Sequence, residues 1–276
     1  MSPWLAAIVI VGVVAVAVAA KLLVRRRAPL GGFFSDSSRA AGTFGVIGTM
    51  FAVVLAFVIF LALESYQRAR TQAGVEAVAV TELYQVADLF PLQARERLRG
   101  GLVCYARSVI EDEWPAMKQE RSSDRVEAWI GELARTIAGT DPRGARQQAA
   151  YGQWFDEESL RRDGRRGRLA EATPFVPLPL WIVLGLGAAL VIAYLCVQAD
   201  RREGAVVQAI PVGFVTALVI AGLLVVAFLD RPYEDESGSI QPTEMRRTLE
   251  LIARSDALRG VMVTPPCDES GLPREA

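Results

Sequence analysis

Histidine is absent from this 276-residue sequence. That removes the commonest general base and the commonest metal ligand together. No Ser/His or Cys/His pair can be assembled for nucleophilic catalysis. The three cysteines, Cys104, Cys196 and Cys267, are scattered, with neither metal-ligand spacing nor an even count, so disulfide and zinc roles are not expected. The acidic triplets are Glu111-Asp112-Glu113 and Glu234-Asp235-Glu236. Calcium takes about six to eight oxygens from a turning loop. The first triplet falls at a helix end and the second in an irregular loop, so both read as solvated acids, with no metal and no cofactor implied. No phosphate-binding glycine loop is present. Together these absences argue against an enzyme.

What remains is arginine chemistry. Residues 161–168 read RRDGRRGR, which fits either a site for anionic lipid headgroups or a solvated, glycine-interrupted linker. Glu64 is placed to pair with Arg68 one turn on. Asp230 and Arg231, next to Pro232, read as an ion-pair anchor where a helix leaves the membrane. With 30 Lys+Arg against 31 Asp+Glu, no nucleic acid partner is expected.

The elements that carry these residues are set by segregation of charge. Four apolar runs, Pro3–Val24, Thr43–Leu63, Pro179–Val197 and Ala205–Leu229, contain a single charge, Lys21. A bilayer core takes about 20 apolar residues in a helix, so each run is long enough to span. The first run is followed by Arg25-Arg26-Arg27 and has no preceding positive charge, which suits a retained span rather than a cleaved signal peptide. The expectation is an all-α, multi-pass protein of the inner (plasma) membrane with the lipid bilayer as its first partner. Residues 1–63 hold transmembrane helices 1 and 2, and 179–230 hold helices 3 and 4. Gly42, Gly45 and Gly48, Gly185 and Gly187, and Gly213 and Gly222 are candidates for close helix–helix approach.

Residues 64–178 form a helical extramembrane domain inserted between helices 2 and 3. Glu64–Phe90 continues the second helix, and Pro91 opens another along Leu98, Leu102, Tyr105 and Val109. Trp114-Pro115 is expected to end it. Asp124 with Glu127 has capping-box-like spacing before a stripe of Val126, Ile130, Leu133 and Ile137. A further helix over Ala145–Leu160 turns Trp154 and Phe155 inward. Residues 231–254 hold a short helix over Ile240–Arg254, with Met245, Leu249 and Ile252 on one side. Residues 255–276 lack periodicity and read as a disordered tail.

On the second helix Phe44, Gly48, Phe51, Leu55 and Val58 fall at spacings of 4, 3, 4 and 3. Around a symmetry axis such a stripe makes an apolar constriction that gates by dewetting; within one protomer it makes a packing face. Orientation is open. The short loops carry Lys21, Arg25, Arg26, Arg27, Arg39, Arg201 and Arg202, which the positive-inside rule places in the cytoplasm. The raw arginine count favours the opposite arrangement. Cys267 offers a thiol for testing the side of the tail.

The stretch from Phe51 to Leu92, with its Glu64-Ser65-Tyr66-Gln67 element and its Glu76-Ala77 and Leu83-Tyr84 pairs, resembles a bacterial family of bestrophin-like membrane proteins. So do Arg97 to Met117, with Tyr105 and Glu113-Trp114-Pro115, and Leu229-Asp230-Arg231-Pro232-Tyr233 with Gln241-Pro242 beyond. The resemblance covers about residues 44–252. It implies kinship with bestrophins, pentameric anion channels with an apolar neck on the second helix and cytoplasmic domain and termini. Their run of consecutive acids, the calcium clasp, has no counterpart here. By resemblance, Glu64, Tyr66, Glu76, Tyr84, Glu113, Trp114, Asp230 and Arg231 mark a membrane–domain junction, and the chain is a homo-oligomeric channel for small anions. The rival expectation is a non-conducting scaffold or sensor whose helical domain binds a partner.

Overall fold

The computed structural model describes residues 3–34, 36–235, 237–260 and 263–274. Met1, Ser2 and Glu236, the last acid of the second triplet, lie outside them. The protein has an all-α membrane-protein fold. Its helices are α1 (Pro3–Arg27), α2 (Ser37–Val86), α3 (Leu92–Ser108), α4 (Trp114–Met117), α5 (Asp124–Ala138), α6 (Gly144–Ala170), α7 (Leu178–Val197), α8 (Ala205–Leu229) and α9 (Thr243–Arg259). Helices α1, α2, α7 and α8 are long and apolar enough to cross a membrane. At 50 residues α2 is far longer than the about 20 a bilayer takes.

The chain divides into two compact units. The first holds α1, α2 through Tyr66, α7 and α8. Here α1 packs along α8 and α7. One apolar cluster joins Ala17, Leu195, Cys196 and Val212, with Phe44 against it. A second joins Val58, Val176, Leu184 and Val226, with Phe51 and Leu55 against it. Lys21, the lone charge of the runs, is buried and donates to the carbonyls of Leu195 and Gln198, each at 2.8 Å. It thereby satisfies carbonyls that the end of α7 leaves without helical donors.

The second unit holds α2 from Gln67, then α3 to α6, α9 and the tail. Its core gathers Val80, Leu83, Leu98, Leu102, Val109, Met117, Val126, Leu133 and Trp154. Several sequence expectations are corrected here. The helix expected to stop at Trp114-Pro115 continues to Met117 through a π turn over Val109–Glu113. A proline ring crowds the carbonyl one turn back, and a widened turn relieves that crowding without ending the helix. The cap of α5 is Ser123, whose hydroxyl accepts from Val126 N at 3.2 Å, not Asp124. On α5, Trp129 takes a buried place and Ile130 is only half-buried. Phe155 is exposed while Trp154 is buried, because α6 runs on to Ala170 and turns a different face inward.

The tail is the largest correction. α9 extends to Arg259, and residues 263–274 pack into the second unit. Cys267 is disulfide-bonded to Cys104 of α3, and both are fully buried. The expectation of neither disulfide nor ordered tail failed because the pairing spans 163 residues and the tail has no helical or strand period to signal it. Labelling of Cys267 therefore cannot report the side of the tail while the bond is intact.

Candidate functional site

Of the stripe Phe44, Gly48, Phe51, Leu55 and Val58, only Val58 is fully buried, while Phe44, Phe51 and Leu55 pack half-buried against the apolar clusters of their own bundle. Val58 is 3% exposed against Leu184 and Val226. A Cβ on Gly187 of α7 would lie 2.5 Å from the Phe51 ring, and one on Gly222 of α8 2.9 Å from Leu55. These two glycines are the close approaches; Gly42, Gly45 and Gly185 face nothing within 4 Å, and Gly48 only the Phe44 ring at 3.9 Å. Within this protomer, Phe51, Leu55 and Val58 of the stripe pack on α7 and α8. Periodicity identifies a face but not what it faces. The opposite face of α2 carries Val46, Met50, Val53, Phe57 and Phe60, all more than 60% exposed.

The residues assigned to one junction fall in several places. In the first unit the Tyr66 hydroxyl donates to Gly238 O at 2.5 Å, and Asp230 accepts from Val176 N at 2.7 Å. Asp230 thus ties the end of α8 to the segment before α7. Glu64 and Arg231 are exposed. Arg68 meets Glu171 at 2.9 Å, both in the second unit. Also in the second unit, the Tyr84 hydroxyl donates to Asp256 of α9 at 2.5 Å, and Arg99 pairs with Asp256 and with Asp88. Burial first, and the bond to Asp256 next, push the Tyr84 phenol above its ordinary range, so it stays a neutral donor.

Glu76, Glu113 and Trp114 do converge, and they converge on the RRDGRRGR segment. Arg161, Arg165 and Arg168 sit at i, i+4 and i+7 of α6, hence on one face, and all three are buried. Arg168 Nε donates to Glu76 Oε2 at 2.6 Å, while its Nη2 reaches Glu113 Oε2 at 2.5 Å. Arg165 Nη2 donates to Glu113 Oε1 at 2.6 Å, and its Nη1 to Glu127 at 2.7 Å. Arg161 holds Glu158 with two bonds of 2.6 and 2.7 Å, and donates to the Tyr105 hydroxyl at 2.9 Å. That hydroxyl in turn donates to Glu76 Oε1 at 2.6 Å. The Trp114 ring lies 5.1 Å from the Arg168 guanidinium, and its Nε1 donates to Ile240 O at 3.1 Å.

Electrostatics follow from this geometry. Burial raises the Glu113 carboxyl, but Arg168 and Arg165 outweigh it and hold the group below its ordinary 4.5. Burial, then the Glu76 carboxylate, pushes the Tyr105 phenol well above its usual range. Buried charges persist only when paired and hydrogen-bonded, and the two fully buried carboxylates, Glu76 and Glu113, each accept from two charge-assisted partners. Arg161, Arg165 and Arg168 of the segment thus build the ionic core of the second unit, while Arg162 and Arg166 remain exposed. The sequence carries a signal for this core: arginines at helical spacing with Gly164 between them. A Cβ on Gly164 would lie 2.6 Å from Glu76 N and 3.0 Å from Glu76 Cα, so only glycine lets α6 approach α2 this closely.

That contact yields a paired prediction. Gly164→Ala is expected to cost about 1–3 kcal/mol by overpacking against rigid backbone. Gly152→Ala on the same helix has open space around it and should be neutral or stabilising by up to about 1 kcal/mol. Denaturant melts of the two variants in detergent decide it, and equal stabilities would contradict the close approach.

The Bestrophin-like domain family model matches residues 7–245. The chain belongs to the bestrophin-like family. Among solved structures, this bestrophin-like chain is similar to a bacterial Bestrophin homolog from Klebsiella pneumoniae. A singly substituted form of it matches with a TM-score of 0.69 at 16% identity, over 89% of this chain and 98% of that one. The form phased on zinc matches at 0.64 and 15%, over 90% and 98%. At such identity the likeness is one of fold. No curated protein matches the bestrophin-like chain.

Proposed function

We propose that the bestrophin-like chain assembles as a homo-oligomer in the inner (plasma) membrane and passes small anions, with the outward face of α2 lining the path. The observation that carries this reading is that face: Val46, Met50, Val53, Phe57 and Phe60 stand exposed along a membrane-length helix whose other side is taken up by its own bundle. Copies brought around an axis by this face would form an apolar constriction of the kind that gates by dewetting. The membrane runs contain no Asp or Glu, so the path lacks the acidic rings that mark cation channels. The reading assigns no catalysis.

Planar-bilayer recording of purified protein tests it, with particle size in detergent as the companion measurement. Anion-selective currents from an oligomer are expected. Phe57→Ser should raise the current several-fold by wetting the constriction. A well-folded oligomer that passes no current would leave a non-conducting scaffold or sensor in its place.

A further inference from the structure

The two sequence rules for orientation disagree, and the second unit contains what separates them. Cys104 and Cys267 are bonded across 163 residues and fully buried. The tail that delivers Cys267 is fixed at several points. Trp129 Nε1 donates to Gly271 O at 2.9 Å, Arg107 to Asp268 O at 2.9 Å, and Arg125 to Ser270 O at 3.0 Å. Gly271, at φ 82°, comes so close to Ser108 that a Cβ would lie 2.2 Å from its hydroxyl. The third cysteine, Cys196, is free, and sits near the end of α7 beside the short loop 198–204. With four spans, chain connectivity puts the bonded pair on one side of the membrane and the free thiol near the other. Disulfides persist in oxidising compartments and are rare in the cytoplasm.

The arginine count that argued otherwise is weakened in the same structure. Arg161, Arg165 and Arg168 are buried and paired with carboxylates of their own unit. Arg161, Arg165 and Arg168 are core residues rather than topology signals. A segment as long as 67–173 also translocates largely regardless of its charge, whereas short loops obey the positive-inside rule. Arg26, Arg27, Arg201 and Arg202 are exposed beside those short loops.

We infer that the helical unit and the tail face away from the cytoplasm, and that the Cys104–Cys267 disulfide forms there. With four spans, the short loops 28–36 and 198–204 then lie in the cytoplasm. The bond forms by thiol–disulfide exchange with a protein disulfide donor of the outer compartment. One thiolate attacks the donor's disulfide, and the second displaces the donor from the mixed disulfide. The donor leaves as a dithiol carrying the two electrons, and the two thiol protons pass to solvent and donor. This orientation is the reverse of the one implied by resemblance to bestrophins, and it is independent of whether the chain conducts.

Two measurements on the full-length protein test it. Cells are quenched in acid and the denatured protein is alkylated with a maleimide–polyethylene glycol. One addition, at Cys196, is expected without reductant and three after reduction. For the side, the exposed Ser159→Cys of α6 and, separately, the exposed Leu30→Cys are made on a Cys196→Ala background. A membrane-impermeant maleimide applied to intact spheroplasts should label Cys at 159 and reach the one at 30 only after lysis. Three additions without reductant overturn the inference, and so does labelling at 30 but not at 159 in intact spheroplasts.

Discussion

Arg168→Met should destabilise the helical unit by about 3–5 kcal/mol, because it strips two buried carboxylates of a shared guanidinium. Glu76 and Glu113 are both fully buried. Without Arg168, Glu76 keeps the Tyr105 hydroxyl, and Glu113 keeps Arg165 and Ser123 N at 3.3 Å. Methionine fills most of the volume, so the loss measures uncompensated charge rather than a cavity. Amide exchange in residues 67–86, α3 and α6 reports it locally. The Arg168→Met, Glu76→Gln double variant should recover part of the loss, since neutralising a partner removes the stranded charge. A single-variant loss below about 1 kcal/mol would show that the network contributes little.

The same network sets an acid limit. The folded-state value of Glu113 is depressed, so its contribution is fully present above the ordinary carboxylate range and is lost as pH falls through the folded value. In wild type the Glu113 contribution should be intact above the group's ordinary value of 4.5 and fade only as pH falls further. Arg168→Met should begin to unfold at higher pH, since the largest attraction holding the value down is gone. Circular dichroism against pH checks the direction of that shift.

The second large effect is expected from the disulfide. A cross-link closing 163 residues removes about 5 kcal/mol of loop-closure entropy from the unfolded chain in the simplest account, and losing a native bond typically costs about 2–5 kcal/mol. Cys267→Ser should therefore lower the melting temperature of the helical unit, and dithiothreitol should bring wild type close to the variant. Cys196→Ser should leave the reductant response unchanged, because Cys196 takes no part in the bond. A melting curve insensitive to reductant would mean that the tail is held by its hydrogen bonds alone.

What the sequence determined is local in origin. Run length and absence of charge set the four helices long and apolar enough to cross a membrane, since a bilayer admits only backbone that bonds to itself. Helical period set most of the extramembrane helices, because an amphipathic stripe repeats within a few turns. What the tertiary structure decided is which surface each stripe meets. Phe51 and Leu55 turned out to pack on Gly187 and Gly222 of other helices, contacts that the period of the stripe does not encode. RRDGRRGR carried the charge of a surface segment, yet Gly164 lets α6 close on α2 until Arg168 reaches Glu76. Cys104 and Cys267 show the same limit at its extreme. Their pairing depends on where a whole domain and its tail come to rest, and no spacing along the chain encodes that.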